Sequence, residues 1–159
     1  TVTDCVRVAA TGAEIVAFDG TRRPRPDGSS LADAVAAIHE AGAVAMADCG
    51  CLEDGLASID AGADCVGTTL AGYTSARSRT SGPDFELLTQ LIALATVPVM
   101  AEGRYHTPEH VARAFGLGAQ AVIVGTAITH PTSITRGFVV ASPRGSTLPE
   151  ADAVPPVHV

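Results

Sequence analysis

One pattern recurs four times along the chain: a helix-like stretch, the dipeptide Gly-Ala, and a short apolar run that ends at a polar residue. Each glycine is well placed to end a helix in the left-handed conformation, and the apolar run that follows is typical of a buried strand. The four glycines are Gly12, Gly42, Gly62 and Gly118. A fifth strand, without the dipeptide, is predicted from Val97. Strands that alternate with helices predict a parallel α/β sheet with right-handed crossovers.

Apolar residues at helical spacing predict the helices between these strands. One helix is expected over 30–41, which opens on a serine able to cap it, and another over 83–95. Thr107 followed by Pro108 is typical of an N-cap and a first helical residue. A weaker helix is expected over about 131–140.

The chain length leaves two parallel architectures open. At about 31 residues per strand–helix unit, five units of an eight-stranded barrel take about 155 residues, and this chain has 159. A complete flavodoxin-like sheet also has five parallel strands. Residues 1–141 hold the five units. Residues 142–159 are rich in Pro and lack periodicity, so we expect a disordered tail or a linker there.

The charged residues exclude several classes of function. All ten basic residues are arginine, so the chain offers no lysine for Schiff-base or acid/base chemistry. The net charge of −7 argues against a nucleic-acid or anionic-membrane partner, because either needs a basic surface. No apolar run approaches the ~20 residues that span a bilayer and no signal peptide is recognisable, so we expect a soluble cytoplasmic protein. The chain begins at Thr1 without Met, which suggests a processed product or a fragment.

Polar residues stand at the end of each predicted strand. Because the carboxyl ends of parallel strands open onto one face, these side chains are expected to converge on one site. They are Asp19, Asp48, Thr68 with Thr69, Glu102 followed by Arg104, and Gly125 followed by Thr126. Carboxylates and an arginine on one rim suffice for acid/base chemistry on a small polar molecule. The alternative for any single aspartate is that it only caps the next helix.

The glycine-rich ends of the last two strands predict a phosphate site. Gly103 precedes Arg104 and Gly125 precedes Thr126, so bare backbone N–H groups are expected beside a fixed cation. The loops after strands seven and eight are where barrels commonly bind phosphate. The alternative is that these glycines only satisfy the geometry of a turn.

No metal site and no cofactor are predicted. His106 and His110 have the spacing of a zinc helix, but Thr107 begins the helix, so the two rings are not expected to share a face. The four cysteines lack metal-ligand spacing and are expected to be free thiols. The Gly/Ser/Thr-rich loop over 70–82 is either a lid over the site or an ordinary surface loop, and we favour the lid.

Five stretches of the sequence resemble one known family, in order along the chain. They are IVAFDGTRRPRP, AMADCGCLEDGLA, GADCVGTTLAGYT, PVMAEGRYHTPE and AVIVGTAIT. These motifs are similar to those of N-acetylmannosamine-6-phosphate 2-epimerase, a bacterial enzyme of sialic-acid catabolism with a phosphate-binding TIM-barrel fold. The resemblance runs over about 3–141 and implies that the five strands are strands four to eight of the barrel.

The resemblance also implies a reaction and roles for residues. The reaction interconverts N-acetylmannosamine 6-phosphate and N-acetylglucosamine 6-phosphate by proton transfer at C2, without a cofactor, and the intact protein is expected to be a homodimer. Family members use a glutamate at the end of strand seven, which Glu102 matches, and a lysine of strand three, which has no counterpart here. Asp48 matches a substrate-contacting aspartate, and Arg104 matches an arginine of the family motif. We therefore predict Glu102 and Asp48 as catalytic residues, and Asp19, Thr68, Thr69 and Arg104 as substrate-binding residues.

Two departures from the family pattern are visible. Asp48 is followed by Cys-Gly-Cys where the family usually has a hydroxyl pair, and His130 stands where the family commonly has an arginine. Two alternatives to the epimerase stay open: another phosphosugar barrel isomerase or lyase, and a non-catalytic half-barrel that binds a partner. The isolated chain is expected not to epimerise, because inversion needs a second acid/base group on the other face of the substrate and the chain has no lysine.

Overall fold

A computed structural model describes residues 1–143, which fall into two compact units, 1–124 and a second that begins at Gly125. The first unit alternates helices and strands. Its elements are α1 (Val2–Ala9), β1 (Ile15–Asp19), α2 (Leu31–Glu40), β2 (Val44–Asp48), α3 (Leu52–Asp60), β3 (Cys65–Gly67), α4 (Phe85–Leu94), β4 (Val99–Glu102), α5 (Pro108–Leu117) and β5 (Ala121–Ile123). The second unit contains α6 (Thr126–Thr129) and α7 (Pro131–Val140).

The five strands form one parallel sheet in the order β1-β2-β3-β4-β5. Each strand therefore pairs only with its neighbours in the sequence. A flavodoxin-like sheet would reverse direction after its first strand, in the order 2-1-3-4-5, because its helices cover both faces. The uninterrupted order is that of a barrel wall, so the topology decides between the two architectures that the length left open. The predicted parallel sheet is confirmed.

The predicted helix ends are confirmed at the glycines of the repeat. Gly12, Gly42, Gly62 and Gly118 have positive φ angles between 81° and 107°. At these positions the chain reverses from a helix into the next strand through a left-handed residue, which glycine adopts without steric cost.

The predicted helix starts hold with one small difference. Ser30 and Asp33 form a capping box at the start of α2, and Thr107 caps α5 with Pro108 as its first residue. The helix expected over 83–95 begins at Phe85, because the Asp84 side chain accepts a hydrogen bond from the backbone N–H of Leu87 at 2.9 Å and so acts as the cap.

The core of the first unit lies between the sheet and its helices. Val16 and Phe18 of β1 are buried with Ile38 of α2 and Leu87 and Leu91 of α4. The alternate residues of β1 point the other way. Ile15 is half exposed, so this strand alternates as expected for a sheet covered by helices on one face.

The second unit contains the helix that was expected over about 131–140. Its N-cap is His130, whose Nδ1 accepts a hydrogen bond from the backbone N–H of Ser133 at 3.2 Å. Within 1–143, no helix combines the length and the apolar character needed to cross a membrane. The Pro-rich segment predicted as a tail or linker falls, from residue 144 on, outside the described residues.

Candidate active site

Three carboxylates stand at the carboxyl ends of strands, on one rim of the sheet. Asp19 ends β1 and is the register partner of Asp48, which ends β2. Glu102 ends β4, on the far side of β3. The backbone of β3 continues past Gly67 into the two threonines of the predicted site. The structure therefore brings together the strand-end residues of β1 to β4 that the sequence predicted.

The side chain of Thr69 joins two of these carboxylates. Its Oγ1 lies 2.6 Å from Oδ1 of Asp48 and 3.1 Å from Oε2 of Glu102. All three side chains are partly buried. The hydroxyl therefore links the two predicted catalytic residues across β3, from the end of β2 to the end of β4.

Both linked carboxyl groups hold their protons more tightly than they would in water. Burial raises the pKa of Asp48 to about 6; the hydrogen bond from Thr69 opposes this rise, and the nearby charges of Glu102 and Asp19 add to it. Burial also raises the pKa of Glu102, with Thr69 again acting in the opposite direction. A carboxyl group whose pKa is raised holds a proton at a pH where an ordinary carboxyl group would have lost it, which favours a role in general acid/base catalysis.

Asp19 has a different environment from the other two carboxylates. It accepts hydrogen bonds from the backbone N–H of Thr21 at 2.8 Å and from the Arg23 guanidinium at 2.7 Å. Burial acts to raise the pKa of Asp19, but these hydrogen bonds and the charge of Arg23 outweigh it, and the pKa is lowered. Asp19 therefore remains ionised and contributes a fixed negative charge beside Asp48.

Thr68 is engaged with the backbone of the neighbouring strand. Its Oγ1 accepts from the N–H of Glu102 at 3.0 Å and donates to the Glu102 carbonyl at 2.8 Å. The side chain is almost fully buried. Thr68 was predicted to bind substrate. In the structure its hydroxyl links the end of β3 to the end of β4 and holds the backbone that carries the Glu102 carboxylate.

Arg104 makes its contacts with the loop that follows β3. Its guanidinium donates to the carbonyls of Ala71 at 2.7 Å and Gly82 at 2.9 Å, and to Oγ1 of Thr80 at 3.0 Å. Its backbone has a φ of 60°, which few residues other than glycine adopt. Of the five N–H donors of an arginine, three are used within the protein, so a bound anion would share the side chain with this loop.

The loop over 70–82, favoured as a lid, is held at several points. The Tyr73 ring lies near two guanidinium groups, with its centroid 5.1 Å from that of Arg79 and 5.3 Å from that of Arg104. The backbone N–H of Leu70 donates to the carbonyl of Cys49 at 3.1 Å. The loop thus contacts the segments after both β2 and β4, and its opening as a lid stays a prediction.

The predicted phosphate residues are divided between the two units. Gly103 belongs to the first, with a φ of 97°, and a Cβ there would lie 3.3 Å from the Thr69 carbonyl. Gly125 and Thr126 belong to the second, where Gly125 is the N-cap of the short helix α6. Neither unit by itself contains all of the predicted phosphate-binding residues, so the phosphate site stays a prediction.

Residues 1–143 contain no group of histidine, cysteine or acidic side chains able to hold a metal ion. The backbone N–H of His106 donates to Nδ1 of His110 at 3.3 Å, so the His110 ring accepts a hydrogen bond from the segment just before α5. All four cysteines are free and buried, and Cys49 donates to the carbonyl of Ala47. Free thiols were predicted.

Sequence reasoning missed one ion pair beside the site. Arg22 donates from Nε to Oδ1 of Asp54 at 3.0 Å, and its backbone N–H donates to the same oxygen at 3.2 Å. The Asp54 side chain is only 5% exposed. The signal available in the sequence was the run of three arginines in 22–25 directly after the first strand, which was read only as part of a family motif.

Comparisons with known proteins agree with the family resemblance. A sequence model of the family described as "NanE: Putative N-acetylmannosamine-6-phosphate epimerase" matches residues 1–143. A Cutibacterium acnes protein named "Putative N-acetylmannosamine-6-phosphate 2-epimerase" is 55% identical over 134 residues, which are 82% of this chain and 58% of that protein. A protein of the same name from Corynebacterium glutamicum is 50% identical over 139 residues, 85% of this chain and 59% of that protein.

One solved structure extends the comparison to the fold. It is the N-acetylmannosamine-6-phosphate 2-epimerase from Clostridium perfringens, which matches with a TM-score of 0.85 and 42% identity over 89% of this chain and 62% of that one. The five-stranded sheet is accordingly part of a TIM barrel. The chain spans a little under three fifths of the length of the curated relatives it matches.

Proposed function

The chain belongs to the N-acetylmannosamine-6-phosphate epimerase family, and on that basis we propose that it supplies one acid/base half of an epimerase active site. The proposed substrates are N-acetylmannosamine 6-phosphate and N-acetylglucosamine 6-phosphate, which differ in configuration at C2. The hydrogen on C2 is acidified by the neighbouring C1 carbonyl of the ring-opened sugar. Its removal leaves an enolate, and its return to the opposite face inverts the centre.

The observation that carries this proposal is the position and protonation behaviour of Glu102. A partly buried carboxylate at the carboxyl end of β4, with a raised pKa, is suited to remove the C2 proton near neutral pH. Asp48 lies on the same rim, linked to Glu102 through Thr69. We assign Glu102 as the base on one face of the substrate and Asp48 as its acidic neighbour.

Inversion needs a second acid/base group on the opposite face of the enolate. The resemblance points to a lysine, and all ten basic residues of this chain are arginine. Arginine is a poor candidate, because its guanidinium does not lose its proton under ordinary conditions. We propose that the second group comes from the part of the family's barrel that this chain does not span.

A coupled assay that follows conversion of N-acetylmannosamine 6-phosphate tests the proposal. We expect no turnover by the purified chain alone, and turnover after addition of the portion of the Cutibacterium acnes relative that this chain does not span. In the combined system Glu102→Gln should lower kcat by about 10²- to 10⁴-fold, the usual contribution of a general base. Glu40→Gln is the matched control, because Glu40 lies exposed at the end of α2.

Two results would count against the proposal. Turnover by the chain alone, within tenfold of an intact relative, would require a second acid/base group among Asp19, Asp48 and His106. Turnover that survives Glu102→Gln would remove the assigned base. The homodimer implied by the resemblance also stays a prediction, to be checked by light scattering on the intact protein.

A further inference from the structure

The Thr69 hydroxyl has one hydrogen and two short contacts to carboxyl oxygens. It lies 2.6 Å from Oδ1 of Asp48 and 3.1 Å from Oε2 of Glu102. One hydroxyl hydrogen can be donated to only one of these oxygens at a time. The other contact is attractive only if the carboxyl group itself carries a proton and donates it to the hydroxyl oxygen. The geometry is thus satisfied when the two carboxyl groups share one proton.

We propose that Thr69 is a positioning residue that joins Asp48 and Glu102 into a single proton-sharing unit and passes the proton between them. In one arrangement Glu102 donates to Oγ1 of Thr69, and Thr69 donates to ionised Asp48. In the other arrangement Asp48 donates to Thr69, and Thr69 donates to ionised Glu102. Both arrangements use the same heavy-atom positions.

The two arrangements interconvert without net loss of atoms or charge. The O–H bond of Glu102 breaks as a new O–H bond forms at Oγ1 of Thr69. The original O–H bond of Thr69 breaks, and its proton forms a bond to Oδ1 of Asp48. The new hydroxyl donates to ionised Glu102, protonated Asp48 donates to Oγ1 of Thr69, and the negative charge has moved from Asp48 to Glu102.

This inference rests on the proposed function and adds to it a way of resetting the base. In a two-base epimerisation each turnover in one direction leaves Glu102 carrying the proton it has removed. The base must lose that proton before the next turnover in the same direction. The unit starts with its one proton on Asp48, so removal of the C2 proton leaves both groups protonated. Asp48 then releases its proton to water, and transfer from Glu102 through Thr69 to ionised Asp48 frees Glu102 without exchange with bulk water at the reacting carboxylate.

The charged groups around the unit favour retention of a single proton. Asp19 is the register partner of Asp48 and a fixed negative charge, and Arg23 forms an ion pair with Asp19. The like charges of Asp48 and Glu102 repel each other, which makes the doubly ionised state costly. When two carboxyl groups interact in this way, their protons leave in two separate steps that belong to the pair.

The test is a pH titration of the side-chain carboxyl carbons by NMR, on the 159-residue chain and without substrate. We expect two separated steps, each visible at both Asp48 and Glu102. The Thr69 hydroxyl stabilises the singly protonated pair, because only then does it form hydrogen bonds with both Asp48 and Glu102 and leave neither carboxyl group in a repulsive contact. In Thr69→Val, which keeps the shape but loses the hydroxyl, the two steps should move closer together. Loss of one hydrogen bond of about 1.4 kcal/mol corresponds to a tenfold smaller ratio of the two dissociation constants.

Two further variants serve as controls, to show that the effect depends on the Thr69 hydroxyl. Thr69→Ser keeps the hydroxyl and should retain the separation of the two steps. Thr89→Val removes a hydroxyl from α4, where it donates to the carbonyl of Phe85, and should also leave the separation unchanged. Circular dichroism at each pH checks that the variants stay folded.

Each outcome of the titration supports or overturns proton transfer between Asp48 and Glu102 through Thr69. Steps that close up in Thr69→Val and stay apart in Thr69→Ser support it. An unchanged separation in Thr69→Val overturns it, as does a shift of both steps in the same direction, which would mark the hydroxyl as an ordinary donor. A shift confined to Asp48 or to Glu102 overturns it as well. Because no substrate is present in the titration, absence of turnover in the combined system would refute the proposed epimerase activity and leave this result intact.

Discussion

The hydroxyl of Thr68 is bonded to both polar groups of the Glu102 backbone. It accepts from the N–H at 3.0 Å and donates to the carbonyl at 2.8 Å. A side chain that closes two hydrogen bonds on one residue of the adjacent strand fixes that residue more firmly than the ladder of a parallel sheet alone. Thr68, directly after β3, therefore holds the backbone of the proposed base in place.

The first prediction concerns this contact. Thr68→Val removes both hydrogen bonds at a nearly fully buried position and leaves their backbone partners to be desolvated without a partner. We expect a loss of about 1–3 kcal/mol in the free energy of unfolding, measured by denaturant titration. Thr89→Val, at an exposed site on α4, should change it by no more than about 0.5 kcal/mol. Equal losses in the two variants would contradict the role of Thr68.

The second prediction concerns the pH dependence that Asp48 imposes. Its pKa is raised from 3.8 to about 6, so the folded state binds the proton more tightly than the unfolded state. Stability therefore falls as pH rises from about 4 to about 6, because the buried carboxyl must ionise. In Asp48→Asn this contribution is absent. The variant should gain about 2–3 kcal/mol over the wild type across that range.

The measurement is a denaturant titration of both proteins at a series of pH values. Their difference is the informative quantity, because the carboxyl groups other than Glu102, which is coupled to Asp48, contribute equally to both proteins. A difference that stays constant between pH 4 and pH 6 would show that Asp48 titrates normally in the folded chain.

The third prediction concerns Arg104 as the anchor of the loop over 70–82. A lysine keeps the charge but cannot reach the two carbonyls and the Thr80 hydroxyl together. Loss of charge-assisted hydrogen bonds, each of about 1.5–3 kcal/mol, should raise the open population of the loop at least about tenfold. Arg104→Lys should therefore be cleaved about tenfold faster by trypsin at Arg77 or Arg79. Arg7→Lys, on the exposed surface of α1, is the control, and equal cleavage rates would refute the anchor.

The fourth prediction compares two glycines. A Cβ at Gly20 would lie 2.8 Å from Cβ of Ala47, at the point where β1 meets β2 beside Asp48, so Gly20→Ala should destabilise the chain by about 1–3 kcal/mol. A Cβ at Gly116, within α5, would meet nothing within 4 Å. Gly116→Ala should therefore stabilise the chain by about 0.5–1 kcal/mol. Thermal unfolding of both variants measures the contrast, and a stable Gly20→Ala protein would show that the strands can separate there.

The elements that the sequence predicted best are those set by local chemistry. The glycines of the repeat, the caps at Ser30 and Thr107, and the polar ends of the strands each depend on a few neighbouring residues. The strand order was beyond that reasoning, because composition and length fit a barrel and a flavodoxin-like sheet equally well. Hydrogen-bonded neighbours in space decided it.

The different hydrogen-bond partners of two adjacent threonines could not be predicted from the sequence. Thr68 and Thr69 are identical in type and consecutive, and both were predicted to bind substrate. One contacts the backbone of Glu102 and the other contacts two carboxylates, because the chain leaves β3 after Gly67 and turns at Thr69, where the N–H of Ala71 donates to the Thr68 carbonyl. Arg104 was missed as a loop anchor for a similar reason: its acceptors lie 22 to 33 residues away in the sequence.

The consecutive order of the strands has a consequence for how the chain acquires its structure. Partners such as Ile15 and Val44 are about 30 residues apart, and the pairing repeats at similar separations along the sheet. Closing a loop of about 30 residues costs less chain entropy than pairing strands from distant parts of the chain. During synthesis each strand can add to the one made just before it without waiting for residues made much later. The wall of the barrel can thus grow one unit at a time, in the direction of translation.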